Sequence, residues 1–270
     1  MRTAIITPVS GRHQHLRNQL SAFDRSLSTP DDHVVVAMND TAVAQQVSSH
    51  RSVHVESITS TGQRLPLAEA RNRGAQRALD LGAELLVFLD VDCLPTPTLL
   101  GRYLDAAAQR PGALLCGPVT YLPPAGPNGY DLDRLERHVN PHTARPNPEP
   151  GEVVDGSDFA LFWSLSFALD ASTWRRIGGF FTGYAGYGGE DTDFGQIAAA
   201  QDIPLCWVGG AHALHQYHPV SDPPVEHLDD ILINAALFHD RWGWWPMRGW
   251  LDAFEQRGLI VRSNGALRRS

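Results

Sequence analysis

Short apolar runs alternate with segments of helical period along the first 120 residues, as strands and helices do in α/β proteins. Glu84–Leu89 is almost wholly apolar, which is typical of a strand buried on both faces at the centre of a parallel sheet. The pattern predicts an α/β fold with a mostly parallel, Rossmann-like central sheet flanked by helices. The predicted strands are Ala4–Thr7, His33–Ala37, Val53–Ile58, Glu84–Leu89 and Ala113–Tyr121, and the predicted helices are Arg12–Phe23, Thr41–Val47, Leu67–Leu81 and Thr98–Gln109.

The second half of the chain is less regular. Leu122–Val153 carries seven prolines and is predicted to be a long surface loop, and Gly178–Gly189 has six glycines in twelve residues. We assign residues 1–220 to the main domain and residues 221–270 to a helical extension packed on it. The further predicted elements are helices at Ala171–Ile177, from Glu190 to about Gln201 and at Val225–Arg241, with strands at Leu205–Val208 and Ala213–Tyr217.

Composition narrows the classes of function. The 270 residues include 30 acidic and 22 basic side chains, a net charge of −8 that argues against a nucleic-acid partner. No run of eighteen apolar residues is present, so no transmembrane segment is predicted. Cys93, Cys116 and Cys206 follow no paired spacing, which favours a reducing compartment, and the cytoplasm is the expected location.

Two acidic residues follow the predicted central strand. Asp90 and Asp92 come after Leu-Leu-Val-Phe-Leu, at the strand end where ligands bind in open α/β sheets. Alternate residues of a strand point the same way, so both carboxylates can face one site. A divalent cation such as Mg²⁺ or Mn²⁺ would hold them together and bridge the phosphates of a nucleotide. The alternative is an acidic turn before Pro95.

A second acidic group opens the helix after the glycine-rich segment. Gly188 and Gly189 allow a close approach of the backbone to a ligand, and Glu190 and Asp191 follow in the first turn. One reading is a general base held beside a lid, and the other is ordinary capping of a helix dipole. Asp193 is expected to bond nearby backbone.

Three histidines near the end of the main domain form a third group. His212, His215 and His218 are spaced so that, on a strand, His215 faces away from the other two. Imidazole beside carboxylates suits Mn²⁺ better than Mg²⁺. A structural role for each histidine is the alternative.

Together, and in this order, the segments resemble family-2-type glycosyltransferases with the GT-A fold, nearest to beta-1,4-galactosyltransferases and chondroitin-polymerase-type domains. The resemblance covers residues 3–218 or so. The segments that carry it are Thr7-Pro-Val-Ser-Gly-Arg12-His-Gln-His15, Ala70-Arg71-Asn72-Arg-Gly74, Asp90-Val-Asp92-Cys-Leu-Pro95, Gly178-Gly179-Phe180 with Gly188-Gly189-Glu190-Asp191, and Ala213-Leu-His215-Gln216.

The resemblance implies roles for individual residues. The donor-binding residues would be Pro8 and Arg12 near the base and ribose, Arg71 near the diphosphate, and Asp90, Gly188 and Gly189. The metal would be held by Asp92 and His215, with Asp90 beside them and with His212 at the position of the methionine ligand of galactosyltransferases. Asp191 would be the catalytic base, and Glu190 would hold sugar hydroxyls.

The implied function is metal-dependent transfer of a hexose from a nucleotide diphosphate sugar to a hydroxyl of a saccharide or other small acceptor. Inversion is expected, with UDP-galactose or a UDP-N-acetylhexosamine favoured as donor. A mannosyl- or glucosyltransferase using GDP-mannose or UDP-glucose, retaining or inverting, is the alternative. A catalytically inactive carbohydrate-binding protein is more remote, as is a nucleotidyltransferase suggested by Thr61–Leu67.

Four of the seven tryptophans lie in Arg241–Trp250. This segment could stack on an acceptor sugar, anchor the last helix to the domain or form a contact between copies of the chain, so a homo-oligomer through it is expected as one possibility.

Overall fold

A computed structural model describes residues 1–48, 50, 52–60, 62, 64–263 and 265–270, and every structural statement below refers to these residues. Thr61 and Gln63 of the segment that suggested a nucleotidyltransferase lie outside them. The strands are β1 (Thr3–Val9), β2 (Asp32–Met38), β3 (Val53–Ile58), β4 (Leu85–Leu89), β5 (Cys93–Pro95), β6 (Leu114–Cys116), β7 (Val119–Tyr121), β8 (Val153–Gly156), β9 (Ser166–Asp170), β10 (Leu205–Val208), β11 (Ala213–His215), β12 (Ile260–Ser263) and β13 (Ala266–Arg269).

The α-helices pack around these strands, and short 3-10 turns occur at Leu132–His138, Phe159–Leu161 and Val225–His227. The α-helices are α1 (His13–Phe23), α2 (Val43–Gln46), α3 (Leu67–Asp80), α4 (Leu99–Gln109), α5 (Ala171–Ile177), α6 (Glu190–Ala200), α7 (Leu228–Trp242) and α8 (Arg248–Gln256).

A mixed central sheet organises the molecule, in the order β3-β2-β1-β4-β9-β6-β10-β8. Within the described residues its strands are parallel except for β8 and β9, which run against their neighbours. The predicted α/β class with a mostly parallel sheet flanked by helices is therefore confirmed. A second small sheet, in the order β5-β11-β7, stands beside the carboxyl end of β4.

The centre of the sheet is buried on both faces, as the apolar run of β4 predicted. Every residue of β1, β2 and β4 is buried, and α3 lies against β1 and β2. Gly74 makes this approach possible, because a Cβ there would lie 2.5 Å from Ile6 Cγ2. The small residues Ala70, Gly74 and Ala78 of α3 thus fix the distance between helix and sheet.

The strand predicted over Ala113–Tyr121 is wrong as one element. The chain leaves the central sheet after β6, turns at Gly117-Pro118 and joins the small sheet as β7. At Gly117 a Cβ would lie 2.0 Å from the carbonyl oxygen of Ala211, so the crossing chains touch there. An apolar pattern does not reveal such a change of sheet.

The proline-rich segment runs over the surface, as predicted, but two of its side chains are buried against the rest of the protein. Leu135 in its 3-10 turn is buried against Leu94 and Leu214. Arg145 is buried, with its guanidinium 5.1 Å from the ring centre of Trp163 and 4.8 Å from that of Trp207.

The extension after residue 220, which was predicted to be helical, also contains two strands. Helices α7 and α8 are followed by the antiparallel hairpin β12-β13. Arg269 lies in β13, with its Nη1 2.7 Å from Asp229 Oδ1. Among the described helices, none has the length and apolar character needed to cross a membrane.

Candidate active site

Asp92, His215 and His218 form a cluster at the junction of the two sheets. Strand β11 pairs antiparallel with β5, so His215 lies opposite Cys93 and next to Asp92. Because β11 ends at His215, the chain turns and brings the His218 ring to 5.2 Å from the His215 ring. One ligand atom from each residue lies within 4.8 Å of the others, and no other described group meets this spacing.

The surroundings of Asp92 set its charge. Arg12 Nη1 lies 3.1 Å and His15 Nδ1 2.6 Å from Asp92 Oδ1. Burial raises the pKa of Asp92, but His15 and Arg12 outweigh it and leave the pKa below its usual value. Burial lowers the pKa of His215 to about 4, although Asp92 opposes this effect. At neutral pH the cluster therefore pairs a carboxylate with a neutral imidazole, the states in which these groups bind metals.

Asp90 faces a different partner. Strand β4 ends at Leu89 and Asp90–Asp92 form a turn, so the premise that strand alternation aims both carboxylates at one point is wrong. Arg71 Nη2 lies 3.0 and 3.2 Å from the two oxygens of Asp90. Burial raises the pKa of Asp90 despite this partner. Asp90 is absent from the metal-type cluster of described residues, and its role as a ligand stays a prediction.

Arg71 joins the two acidic motifs. Its side chain is 3% exposed, and its Nη1 lies 3.2 Å from Glu190 Oε1 while Nη2 holds Asp90. The guanidinium also lies 5.3 Å from the Phe180 ring centre, and Phe180 is in turn held through its backbone N–H and carbonyl by the Asn72 amide, at 2.8 Å each. Two adjacent residues of α3 therefore connect three separate sequence motifs. The guanidinium is already paired with two carboxylates, and contact with a diphosphate stays a prediction.

The two candidate catalytic acids differ in exposure. Glu190 is 6% exposed, and burial, helped by the charge of Asp191, raises its pKa to about 7. Its Oε2 is buried without a hydrogen-bond partner. Asp191 is partly exposed, and its Oδ1 accepts the Thr192 backbone N–H at 2.7 Å. Burial raises the pKa of Asp191 as well, and the nearby Asp90 charge adds to the rise.

The expectation that Asp193 bonds nearby backbone is wrong. It is fully buried, and its Oδ1 accepts hydrogen bonds from Arg241 Nε at 2.7 Å, Trp242 Nε1 at 2.6 Å and Tyr184 Oη at 3.2 Å. Its partners thus come mainly from α7. The first tryptophan of the Trp-rich segment serves as an internal anchor.

The remaining predicted residues fall at varied distances from this centre. Pro8 is buried near the end of β1, and His212 is buried with Nε2 unpaired, outside the described metal-type cluster. Gly188 and Gly189 have φ of 87° and 93°, a conformation that favours glycine. At Gly188 a Cβ would lie 2.7 Å from Met247 Sδ, so the lack of a side chain there makes room for a residue of the C-terminal extension. Donor contacts by Pro8 and the two glycines stay predictions.

Aromatic side chains extend from the cluster. The Tyr121 ring lies 4.8 Å from the His215 ring and 5.9 Å from the His142 ring, which in turn lies 5.1 Å from the Trp163 ring. Tyr121 is 49% exposed. Burial raises the pKa of Tyr187 to about 12, and Asp191 adds to the rise, so Tyr187 neighbours the acids. Partly exposed rings of this kind can stack on sugars.

Residues 157–219 match the family model described as the N-terminal domain of galactosyltransferase. This stretch includes Glu190, Asp191, His215 and His218. The chain is 27% identical over 224 residues to validoxylamine A glucosyltransferase of Streptomyces hygroscopicus subsp. limoneus, covering 75% of this chain and 49% of that protein. The enzyme of the same name from subsp. jinggangensis (strain 5008) is also 27% identical over 224 residues, which cover 52% of that protein. The chain thus spans about half the length of these curated relatives.

Solved structures decide the fold. The crystal structure of S. aureus TarS 1-349 in complex with UDP-GlcNAc superposes with a TM-score of 0.59 at 12% identity, covering 87% of this chain and 66% of that one. A structure of a longer TarS chain superposes with a TM-score of 0.60 at 13% identity, covering 87% of this chain and 39% of that one. The fold is GT-A. The predicted resemblance to GT-A glycosyltransferases is thereby confirmed.

Several residues of the candidate site were not predicted from the sequence. His218 was considered together with His212 and His215, but no metal role was assigned to it. Gln216 is fully buried, and its backbone N–H donates to the Asp92 carbonyl at 2.6 Å. No local sequence pattern indicates this contact. Arg241 and Asn234, which hold the acidic motif from α7, have no local sequence signal.

Proposed function

We propose that this chain is a metal-dependent glycosyltransferase that moves a hexose from a nucleotide diphosphate sugar to an acceptor hydroxyl. The observation that carries the proposal is the Arg71 bridge, which ties Asp90, beside the metal-type cluster, to Glu190, beside the candidate base. Chemistry that must neutralise a leaving diphosphate and remove a proton from an attacking hydroxyl needs both groups on one cleft.

The residues present fit a divalent cation. Asp92, His215 and His218 offer one oxygen and two nitrogens at mutual distances under 4.8 Å, a set that favours Mn²⁺ over Mg²⁺. The local charge agrees, since four carboxylates (Asp90, Asp92, Glu190, Asp191) face the guanidiniums of Arg12 and Arg71. A cation held there would act as a Lewis acid on the departing diphosphate.

Asp191 is the proposed base. It is more exposed than Glu190, and its raised pKa makes it a stronger proton acceptor than an ordinary aspartate. The acceptor oxygen attacks the anomeric carbon as the carbon–oxygen bond to the diphosphate breaks, and Asp191 takes the hydroxyl proton. Attack opposite the leaving group inverts the anomeric centre. Glu190, held by Arg71, is proposed to hold sugar hydroxyls, as the resemblance implies.

The donor is proposed to be a UDP-hexose. The two curated relatives are named as glucosyltransferases, and the TarS structure contains UDP-GlcNAc. These names support UDP-glucose, the alternative donor from the sequence, or UDP-GlcNAc, one of the favoured UDP-N-acetylhexosamines, over UDP-galactose. The partly exposed rings of Tyr121, Trp163 and Tyr187 would form the acceptor wall. The cytoplasm remains the proposed location, and the burial of all three cysteines as free thiols agrees with a reducing compartment.

A donor panel tests the proposal. Purified protein with Mn²⁺ is incubated with UDP-glucose, UDP-GlcNAc, UDP-galactose and GDP-mannose and a mixture of saccharide acceptors, and released nucleotide and glycosylated product are measured. We expect Mn²⁺-dependent release from one UDP-sugar, abolished by a chelator. Absence of turnover and of nucleotide binding with every donor would contradict the proposal and favour an inactive binding protein.

A further inference from the structure

Helix α7 presents a polar stripe to the segment that carries the catalytic acids. Asp230, Asn234 and Arg241 are spaced by four and seven residues, so they lie on one face of the helix. All three contact residues between Ala185 and Asp193. This helix lies outside residues 157–219, the part of the chain that matches the galactosyltransferase family model.

One contact of the stripe lies just before the acids. The Asn234 amide nitrogen donates to the carbonyls of Ala185, Tyr187 and Gly188 at 3.1, 3.2 and 2.8 Å. Asn234 is 1% exposed, so its donors are shielded from water. Asp230 Oδ2 accepts the backbone N–H of Tyr187 at 3.3 Å. The end of the glycine-rich loop is therefore held by side chains of α7.

The other contact lies just after the acids. Arg241 Nε and Nη2 lie 2.7 and 3.4 Å from the two oxygens of Asp193, which is fully buried. Trp242 donates its indole N–H to the same carboxylate. Among the described residues, Arg241 is the cation that pairs with the buried carboxylate of Asp193. Glu190 and Asp191 thus sit between two anchors, one on each side.

We propose that Asn234 and Arg241 of α7 are positioning residues, which hold Glu190 and Asp191 in the geometry needed for transfer without touching either substrate. The proposal rests on the proposed function, because it assigns those acids to catalysis. The apolar packing of α7 comes from other residues, chiefly Ile231, Ala235 and Phe238, so the polar stripe is not what attaches the helix.

Arg241→Ala tests the proposal, with Arg248→Ala as the matched control. Arg248 is an exposed arginine at the start of α8. We expect Arg241→Ala to lower kcat about 10- to 100-fold, the cost of a small displacement of catalytic groups, while KM and Kd for the UDP-sugar with Mn²⁺ stay within twofold. Arg241→Lys, which keeps the charge beside Asp193, should recover most of the lost kcat.

Hydrogen exchange provides a readout independent of activity. Amides of residues 184–190 should exchange faster in Arg241→Ala and Asn234→Ala than in the control, with β1 and β4 unchanged. A kcat equal to that of the control together with unchanged exchange would overturn the proposal, as would equal losses of kcat and donor affinity. If the unaltered protein transfers no sugar, the proposed function fails, and exchange alone then decides whether α7 restrains this segment.

Discussion

The two sides of the candidate site are held in different ways. The metal-type cluster is placed by backbone pairing, because His215 lies in β11 between β5 and β7 and Gln216 clamps the turn at Asp92. The proposed catalytic acids, Glu190 and Asp191, lie after a glycine-rich loop and are held by side chains, from Arg71 on one side and from α7 on the other. The backbone hydrogen bonds of a sheet do not depend on any one side chain, whereas a side-chain contact can be removed by a single substitution.

This contrast predicts that single substitutions separate the two sides. Changes on the acid side should impair transfer while leaving nucleotide and metal binding intact, and changes at the cluster should remove binding itself. The substitutions below are ordered by the size of the expected effect.

The largest separable effect is expected at Asp191. Asp191→Asn keeps the shape and removes the proton acceptor, so transfer should fall by about 10²–10⁴-fold with donor binding unchanged. Initial rates and calorimetric binding are compared with those of Asp202→Asn, the same change at an exposed position beyond α6. Near-normal turnover in Asp191→Asn would remove this residue from the mechanism and favour a retaining enzyme.

A smaller but broader effect is expected at Arg71, which connects both sides. Arg71→Met leaves Asp90 and Glu190 without their shared cation in a buried setting, and we expect a loss of about 3 kcal/mol in the free energy of unfolding together with reduced transfer. Denaturant unfolding of Arg73→Met, on the same helix but with its side chain 57% exposed, is the control. Equal stability of the two variants would show that the bridge is dispensable.

The smallest effect concerns the pH dependence of stability. Burial raises the pKa of Glu190 to about 7 in the folded protein, from an ordinary value near 4.5. The folded state then binds more protons than the unfolded state between these values, so this residue makes stability fall as pH rises from 4.5 to 7. Glu190→Gln should remove that fall, and Glu69→Gln, at an exposed position of α3, should not.

Unfolding free energies at pH 4.5, 6 and 7.5 give the comparison. The difference between Glu190→Gln and the unaltered protein should shift by on the order of 1 kcal/mol or more in favour of the variant as pH rises, since each unit of pKa shift corresponds to about 1.4 kcal/mol. A difference independent of pH would contradict the assignment of a raised pKa to Glu190.

The same contrast explains what could be predicted from the sequence. Local sequence patterns are sufficient to predict β3 and α5, whose bounds match the prediction. They also place the acids at the start of α6. The place of His218 beside His215 was not predicted, because strand parity holds only inside a strand and β11 ends three residues before His218. The partners of Asp193 lie 48 and 49 positions along the chain, and no local period announces such contacts.

The central claim is that one cleft binds a nucleotide sugar through a metal at Asp92 and performs transfer with Asp191. Calorimetric titration of UDP-glucose and UDP-GlcNAc into the unaltered protein, Asp92→Ala and Asp191→Asn, each with Mn²⁺ and with a chelator, tests it most directly. We expect metal-dependent binding of at least one of these donors to the unaltered protein and to Asp191→Asn, and none to Asp92→Ala. Binding that is indifferent to the chelator, or that survives in Asp92→Ala, would contradict it.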